Sequence, residues 1–250
     1  MRWILLLFAG SVLLGVVAAG PSPLAGARQL IVVTTSGWDA VDGSLRRYER
    51  ATVRGGWRPV GAPIPIVVGR NGMAWGRGLH GEAAPAGAAG PVKKEGDGRS
   101  PAGLFRLGPA FGYAPAAKTG ARRVPYLQAT PTLECVDDVK SAHYNRVLDR
   151  RSVKTPDWQS SEQMRREDDF YRLGVIVDHN ADRAAGCGSC IFLHIWAGAG
   201  KGTAGCTAME SEKMETVFRW LDARTHPLLV QLPEAEFDRL REAWTLPAPK

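Results

Sequence analysis

A mainly β fold with a few helices is the class this sequence predicts. Three observations carry that expectation. Glycine and proline are frequent, at 29 and 17 of 250 residues, and they punctuate the chain throughout. The strand-like runs between them are short, which with many turn residues favours β architecture. Helical periodicity is confined to a few segments, most clearly near the C-terminus. At 44 % apolar residues the chain has ample material for a packed core. No internal repeat and no clear linker divides it.

Taken in order, Met1-Arg2-Trp3 and the apolar residues after it read as a secretory signal peptide. Its expected extent is residues 1–27, ending at the small-x-small triplet Ala25-Gly26-Ala27, with Ala19 or Gly20 as the other cleavage point. An uncleaved anchor is the alternative, since the apolar run is about as long as a bilayer span. Residues 28–250 then form one domain. Arg28–Thr35 predicts a strand. Two further strands follow, joined through Gly55-Gly56 and with Trp57 on the second, and Ile64–Val68 reads as another. Residues 71–90 are a Gly/Ala-rich loop. Residues 92–103 set Glu95 and Asp97 among turn formers, a shaped loop feeding the strand that begins at Leu104. A loop over 114–125 precedes a strand around Cys135. Ser141–Asn145 is polar and aromatic, suited to the rim of a binding site. Ser160 with Gln163 marks a helix start, and residues 161–172 are expected to continue as a short helix. Leu173–Val177 is a buried strand, Leu228–Leu232 a return strand, and Phe237, Leu240 and Trp244 mark a last amphipathic helix.

The net charge of +7 is spread along the chain. No dense Lys/Arg tract interleaved with aromatics appears, so nucleic acid is not an expected partner. A mildly basic exported protein instead suits an anionic envelope surface.

The chemistry concentrates at His194 and Cys206. Between them lies a glycine-rich segment ending in Thr203-Ala204-Gly205-Cys206. A thiol just after a tight turn, with an imidazole on the preceding strand, is the layout of an activated cysteine nucleophile. Thr207 with Glu210 fits a capping box, and Met214, Val217, Phe218 and Leu221 repeat at helical spacing. Cys206 is therefore expected at a helix N-terminus, where the unpaired N–H groups favour an anion. The other cysteines are Cys135, Cys187 and Cys190. With Cys206 as nucleophile, at most one bridge forms among these three. The C-x-x-C of Cys187 and Cys190 precedes a strand pattern, which fits bridging or burial better than redox chemistry. A zinc site drawing on His179 and Cys135 lacks ligand spacing, so no metal and no cofactor is expected.

Several of these pieces, in this order, resemble the L,D-transpeptidase catalytic domain, the YkuD or ErfK/YbiS/YcfS/YnhG family. KKEGDGRSPAGLFRLG is similar to the glycine- and proline-containing stretch before that family's catalytic half. YRLGVIVDHN, FLHIW and GTAGC resemble its pre-histidine strand, its histidine strand and its Ser/Thr-x-Gly-Cys motif. The resemblance covers about 28–232. It implies a β-sandwich catalytic domain, Cys206 as nucleophile and His194 as base, with Thr203, Ala204 and Gly205 as the turn and backbone N–H groups around Gly205 and Cys206 as the oxyanion donors. It assigns Glu95, Gly96 and Asp97 a shaping role. A backbone carbonyl would suffice to orient His194, with Asp178 or His179 as weaker choices. It implies action on peptidoglycan tetrapeptide stems, through a thioester that passes to an amine or to water, in the periplasm or cell envelope. Three features depart from the family: Ala204 where histidine is common, Ile195 where glycine is common together with a short His-to-Cys interval, and Thr207-Ala208 in place of an apolar–Arg pair. They motivate the alternative, a wall-binding protein of the same fold without chemistry. A papain-like peptidase has its cysteine before its histidine, the reverse of the order here.

Overall fold

Residues 22–119 and 123–248 are described in the computed structural model. Of the predicted leader over 1–27, residues 1–21 lie outside the described residues. The strands are β1 (Gln29–Thr35), β2 (Asp42–Glu49), β3 (Arg58–Val67), β4 (Met73–Trp75) and β5 (Ser100–Gly112). After the short helix α1 (Ala116–Thr119) come β6 (Tyr126–Gln128), β7 (Leu133–Val136), β8 (Arg146–Asp149), β9 (Ser161–Gln163), β10 (Leu173–Val177), β11 (Phe192–Ile195) and β12 (Thr207–Met209). Helix α2 (Ser211–Trp220), β13 (Leu228–Pro233) and α3 (Glu234–Trp244) complete the order. The fold is mainly β with few helices.

The principal sheet closes on itself. Its order runs β10-β11-β12-β3-β2-β1-β13-β5, and β5 pairs with β10 as well as β13. Closure is possible because β5 is long. Its Gly103–Arg106 half lies against β13, and its Leu107–Gly112 half against β10. The described strands therefore form a barrel, where two stacked sheets were expected. A ring leaves none of its members as an open edge, which is a physical reason to close it. β1 supplies an almost wholly buried stretch, parallel to β13 and antiparallel to β2. Helix α2 buries Met214, Val217 and Phe218, and α3 buries Phe237, Leu240 and Trp244. Among the described residues no helix is long and apolar enough to cross a membrane.

Three local expectations change. The two strands read over 58–68 are one, β3. Its prolines are tolerated because β12 pairs only with Ile66 and Val67, so most of β3 has a single hydrogen-bonded neighbour. The helix expected over 161–172 is absent. Ser161–Gln163 instead pairs with β7 in a second sheet of order β8-β7-β9. The buried Glu134 of β7 fixes that strand by accepting from the Ser161 hydroxyl and the Gln163 amide. Asp168 then takes the Phe170 N–H at 3.1 Å, a local bond that competes with helix. Finally, Thr207–Met209 is strand, and the helix begins at Ser211. The Thr207 hydroxyl donates to Gln231 at 2.5 Å, so it caps nothing, and Glu210 makes no side-chain cap bond.

Residues 22–27 belong to the packed unit. Leu24 and Ala27 are buried, and Arg50 donates to both their carbonyls at 2.6 Å. Cleavage after Ala27 would remove Leu24 from the core, whereas cleavage at Ala19 or Gly20 would spare it.

Candidate active site

A cleft of about 740 Å³ opens between the barrel and the small sheet. Cys206, His194, Thr203, Ala204 and Gly205 all line it. β11 and β12 bring them together. They are parallel, with His194 beside Ala208. Side chains alternate between faces along a strand. Cys206, two residues before Ala208, therefore shares a face with His194, at a Cα separation of roughly 8 Å from strand spacing and rise.

The turn before Cys206 is tightly built. The Thr203 hydroxyl donates to the Cys206 carbonyl at 2.6 Å and accepts the Gly205 N–H at 3.1 Å. The Ser100 hydroxyl donates to the same carbonyl at 2.9 Å. Gly202 must be glycine, since a Cβ there would sit 2.5 Å from Arg70 Cα. The Gly205 N–H is thus already spent, which removes it as a ready oxyanion donor. Among the described residues, the N–H groups of Ala204 and Cys206 have no hydrogen-bond acceptor.

The sulfur is free and buried, 7 % exposed as a residue. It accepts the Phe192 N–H at 3.3 Å and points its own hydrogen toward the Cys190 carbonyl at 3.5 Å. Burial pushes its pKa up, the Glu162 carboxylate adds to this, and the Phe192 N–H and the Tyr171 hydroxyl oppose it. The expected helix N-terminus is not there to help, because Cys206 leads into a strand. His194 is equally buried, and burial lowers its pKa to about 4. The resting pair is therefore neutral thiol and neutral imidazole, not an ion pair. His194 Nδ1 lies 2.8 Å from the Ile195 carbonyl. A carbonyl only accepts, so Nδ1 carries the proton and Nε2 keeps its lone pair. No described residue bonds Nε2. The orienting group is thus a backbone carbonyl, and neither Asp178 nor His179 serves.

The rest of the wall was not visible in the sequence. Tyr171 is 3 % exposed. Its ring meets the His194 ring edge-on at 5.1 Å, and its hydroxyl donates to Glu162. No spacing could have announced Glu162, because its segment reads as helix. Glu95 accepts from Tyr144 and from Ser189, the latter at 2.8 Å. Tyr144 is accordingly buried and not a rim residue. Asp97 accepts from Lys93 Nζ at 2.5 Å and from the N–H groups of Lys94 and Arg99, so it closes its own loop over Gly96.

A disulfide joins Cys135 to Cys190 and staples the small sheet to the segment that leads into β11. Cys187 stays free. His179, once a zinc candidate, has Nε2 at 3.0 Å from the Cys187 carbonyl and Nδ1 accepting the Arg77 N–H at 3.3 Å, while Cys135 is in the bridge. Among the described residues no group of three or more His, Cys, Asp or Glu side chains is placed to hold a metal ion.

No family model matches the chain, and no curated protein or solved structure matches it.

Proposed function

We propose that this chain is an exported cysteine acyltransferase of the L,D-transpeptidase type, with a YkuD-like catalytic domain, acting on peptidoglycan tetrapeptide stems. The observation that carries the reading is one cleft holding a free thiol and an imidazole on one sheet face, with Nδ1 fixed by a carbonyl and Nε2 unengaged. In this mechanism Nε2 takes the thiol proton as Sγ leaves the Cys190 carbonyl and attacks the substrate carbonyl. A neutral pair suits that concerted transfer, since neither charge exists until the substrate arrives. The Ala204 and Cys206 N–H groups receive the oxyanion, each such donor being worth about 3 kcal/mol. Terminal D-alanine departs with the proton from His194, leaving a thioester for an amine or water. No cofactor takes part in these steps.

Incubation of the protein with tetrapeptide-stem fragments, read by intact mass, tests this. The expected result is an adduct on Cys206 short of one alanine, absent from Cys206→Ala. Identical spectra for wild type and variant would overturn it.

The wall-binding alternative draws on the burial of Cys206 and its raised pKa. On that reading both free cysteines alkylate slowly and at similar rates, and His194→Ala changes neither.

A further inference from the structure

The cleft wall on the small sheet carries two carboxylates for which the chemistry above has no task. Asp137 directly follows β7 and Glu162 lies in β9, where Cys135 pairs with Glu162 and Val136 with Ser161. Both line the cleft that holds Cys206. One oxygen of Asp137 is buried without any hydrogen-bond partner among the described residues, an arrangement that costs stability unless something else fills it. Glu162 is fixed by the Tyr171 hydroxyl. Its cation is shared: Arg166 is hydrogen-bonded to Asp168 at 2.8–3.1 Å and makes only a longer ion pair, 3.8 Å, with Glu162. Burial raises the Glu162 pKa and outweighs the Tyr171 hydroxyl and Arg166, which lower it, with the charge of Asp137 adding a smaller push upward.

An orphaned carboxylate oxygen beside a second carboxylate suits a group with several N–H donors and one positive charge. We propose that Asp137 and Glu162 form the subsite for a protonated primary amine, the acceptor that resolves the Cys206 thioester. The assignment rests on the acyl-transfer reading and adds the acceptor's binding residues to it. Asp137 holds the ammonium, and Glu162 takes one proton from it. The freed nitrogen lone pair attacks the thioester carbon, the C–N bond forms and the C–S bond breaks. The second proton lost by nitrogen passes to the departing sulfur, through His194, and restores the thiol.

Binding tests this without chemistry. Nα-acetyl-lysinamide, with one free primary amine, and its uncharged counterpart Nα-acetyl-norleucinamide are titrated into the purified protein by NMR. Wild type is expected to bind the lysine probe at least tenfold more tightly than the norleucine probe. Asp137→Asn and Glu162→Gln, near-isosteric changes that keep an acceptor for Tyr171, are each expected to abolish that preference. A wild type that does not discriminate, or variants that keep the preference while folded by circular dichroism, overturns the proposal. A wild type that binds the amine yet never forms the alanine-short adduct removes the acyl-transfer reading and leaves the amine subsite standing. Where the adduct forms, both variants are expected to shift its resolution from amine toward water at least tenfold, and an unchanged partition overturns the role of these carboxylates in transfer.

Discussion

His179 and His194 are buried to a similar degree, 2 % and 7 % exposed, and burial lowers both pKa values to about 4. They differ in what is left over. His179 engages both ring nitrogens with backbone and packs edge-on against Phe105 at 5.8 Å. His194 engages only Nδ1, as a donor, and its one ring lone pair, on Nε2, has no described partner in a cleft shared with a free thiol. Burial and a perturbed pKa therefore do not separate a structural histidine from a candidate base. The unsatisfied lone pair does.

The sharpest way to break this comparison is kinetic. His194→Asn is expected to slow acylation of Cys206 about 100-fold, the usual scale of a general base. His179→Asn should leave the rate per folded molecule unchanged. Equal effects would mean that the free lone pair carries no special role.

The stapled wall gives the next largest effect. Replacing Cys135 and Cys190 by alanine opens a loop with a sequence separation of 55, and chain entropy predicts a loss of about 4 kcal/mol. Chemical denaturation measures it. His179 lies within the loop that this bridge closes, whereas His194 lies beyond it.

Acid tests what the two histidines share. Each has a folded pKa near 4, against an ordinary value of 6.5. The unfolded chain therefore binds more protons across that window, and stability falls as pH drops from about 6.5 toward 4. The loss is roughly 3 kcal/mol per histidine at the bottom of the window. Thermal melts should show it in wild type and about half of it in either Asn variant. The smallest effect is expected at Cys187, free and half-buried. Cys187→Ser should shift stability by no more than about 0.5 kcal/mol and leave Cys206 labelling alone.

The strand-rich character, β1, β10, β13 and both C-terminal helices were legible because their apolar periodicity is local. The failures share a cause. Thr207 and Glu210 have the spacing of a capping box, yet the Thr207 hydroxyl belongs to Gln231, a partner 24 residues away. Ser160 and Gln163 look like a helix start, yet Ser161 and Gln163 answer to a buried glutamate on β7. Capping signals are read over four residues, and a long-range hydrogen bond to the same side chain erases them without trace in the local pattern.

The site divides along the same line. Order along the chain singled out His194, Cys206 and the Thr203–Gly205 turn, because residue type and a glycine-rich approach to a thiol are local properties. That Cys206 follows a turn was equally readable. Which N–H groups remain open, which carbonyl fixes the imidazole, which cysteine bridges to Cys190, and that Asp137, Glu162 and Tyr171 complete the wall were settled by tertiary structure alone. Each depends on segments that meet only when the barrel closes and the small sheet is fastened beside it, and hydrogen-bond satisfaction in a buried cleft is a property of that meeting, not of any one segment.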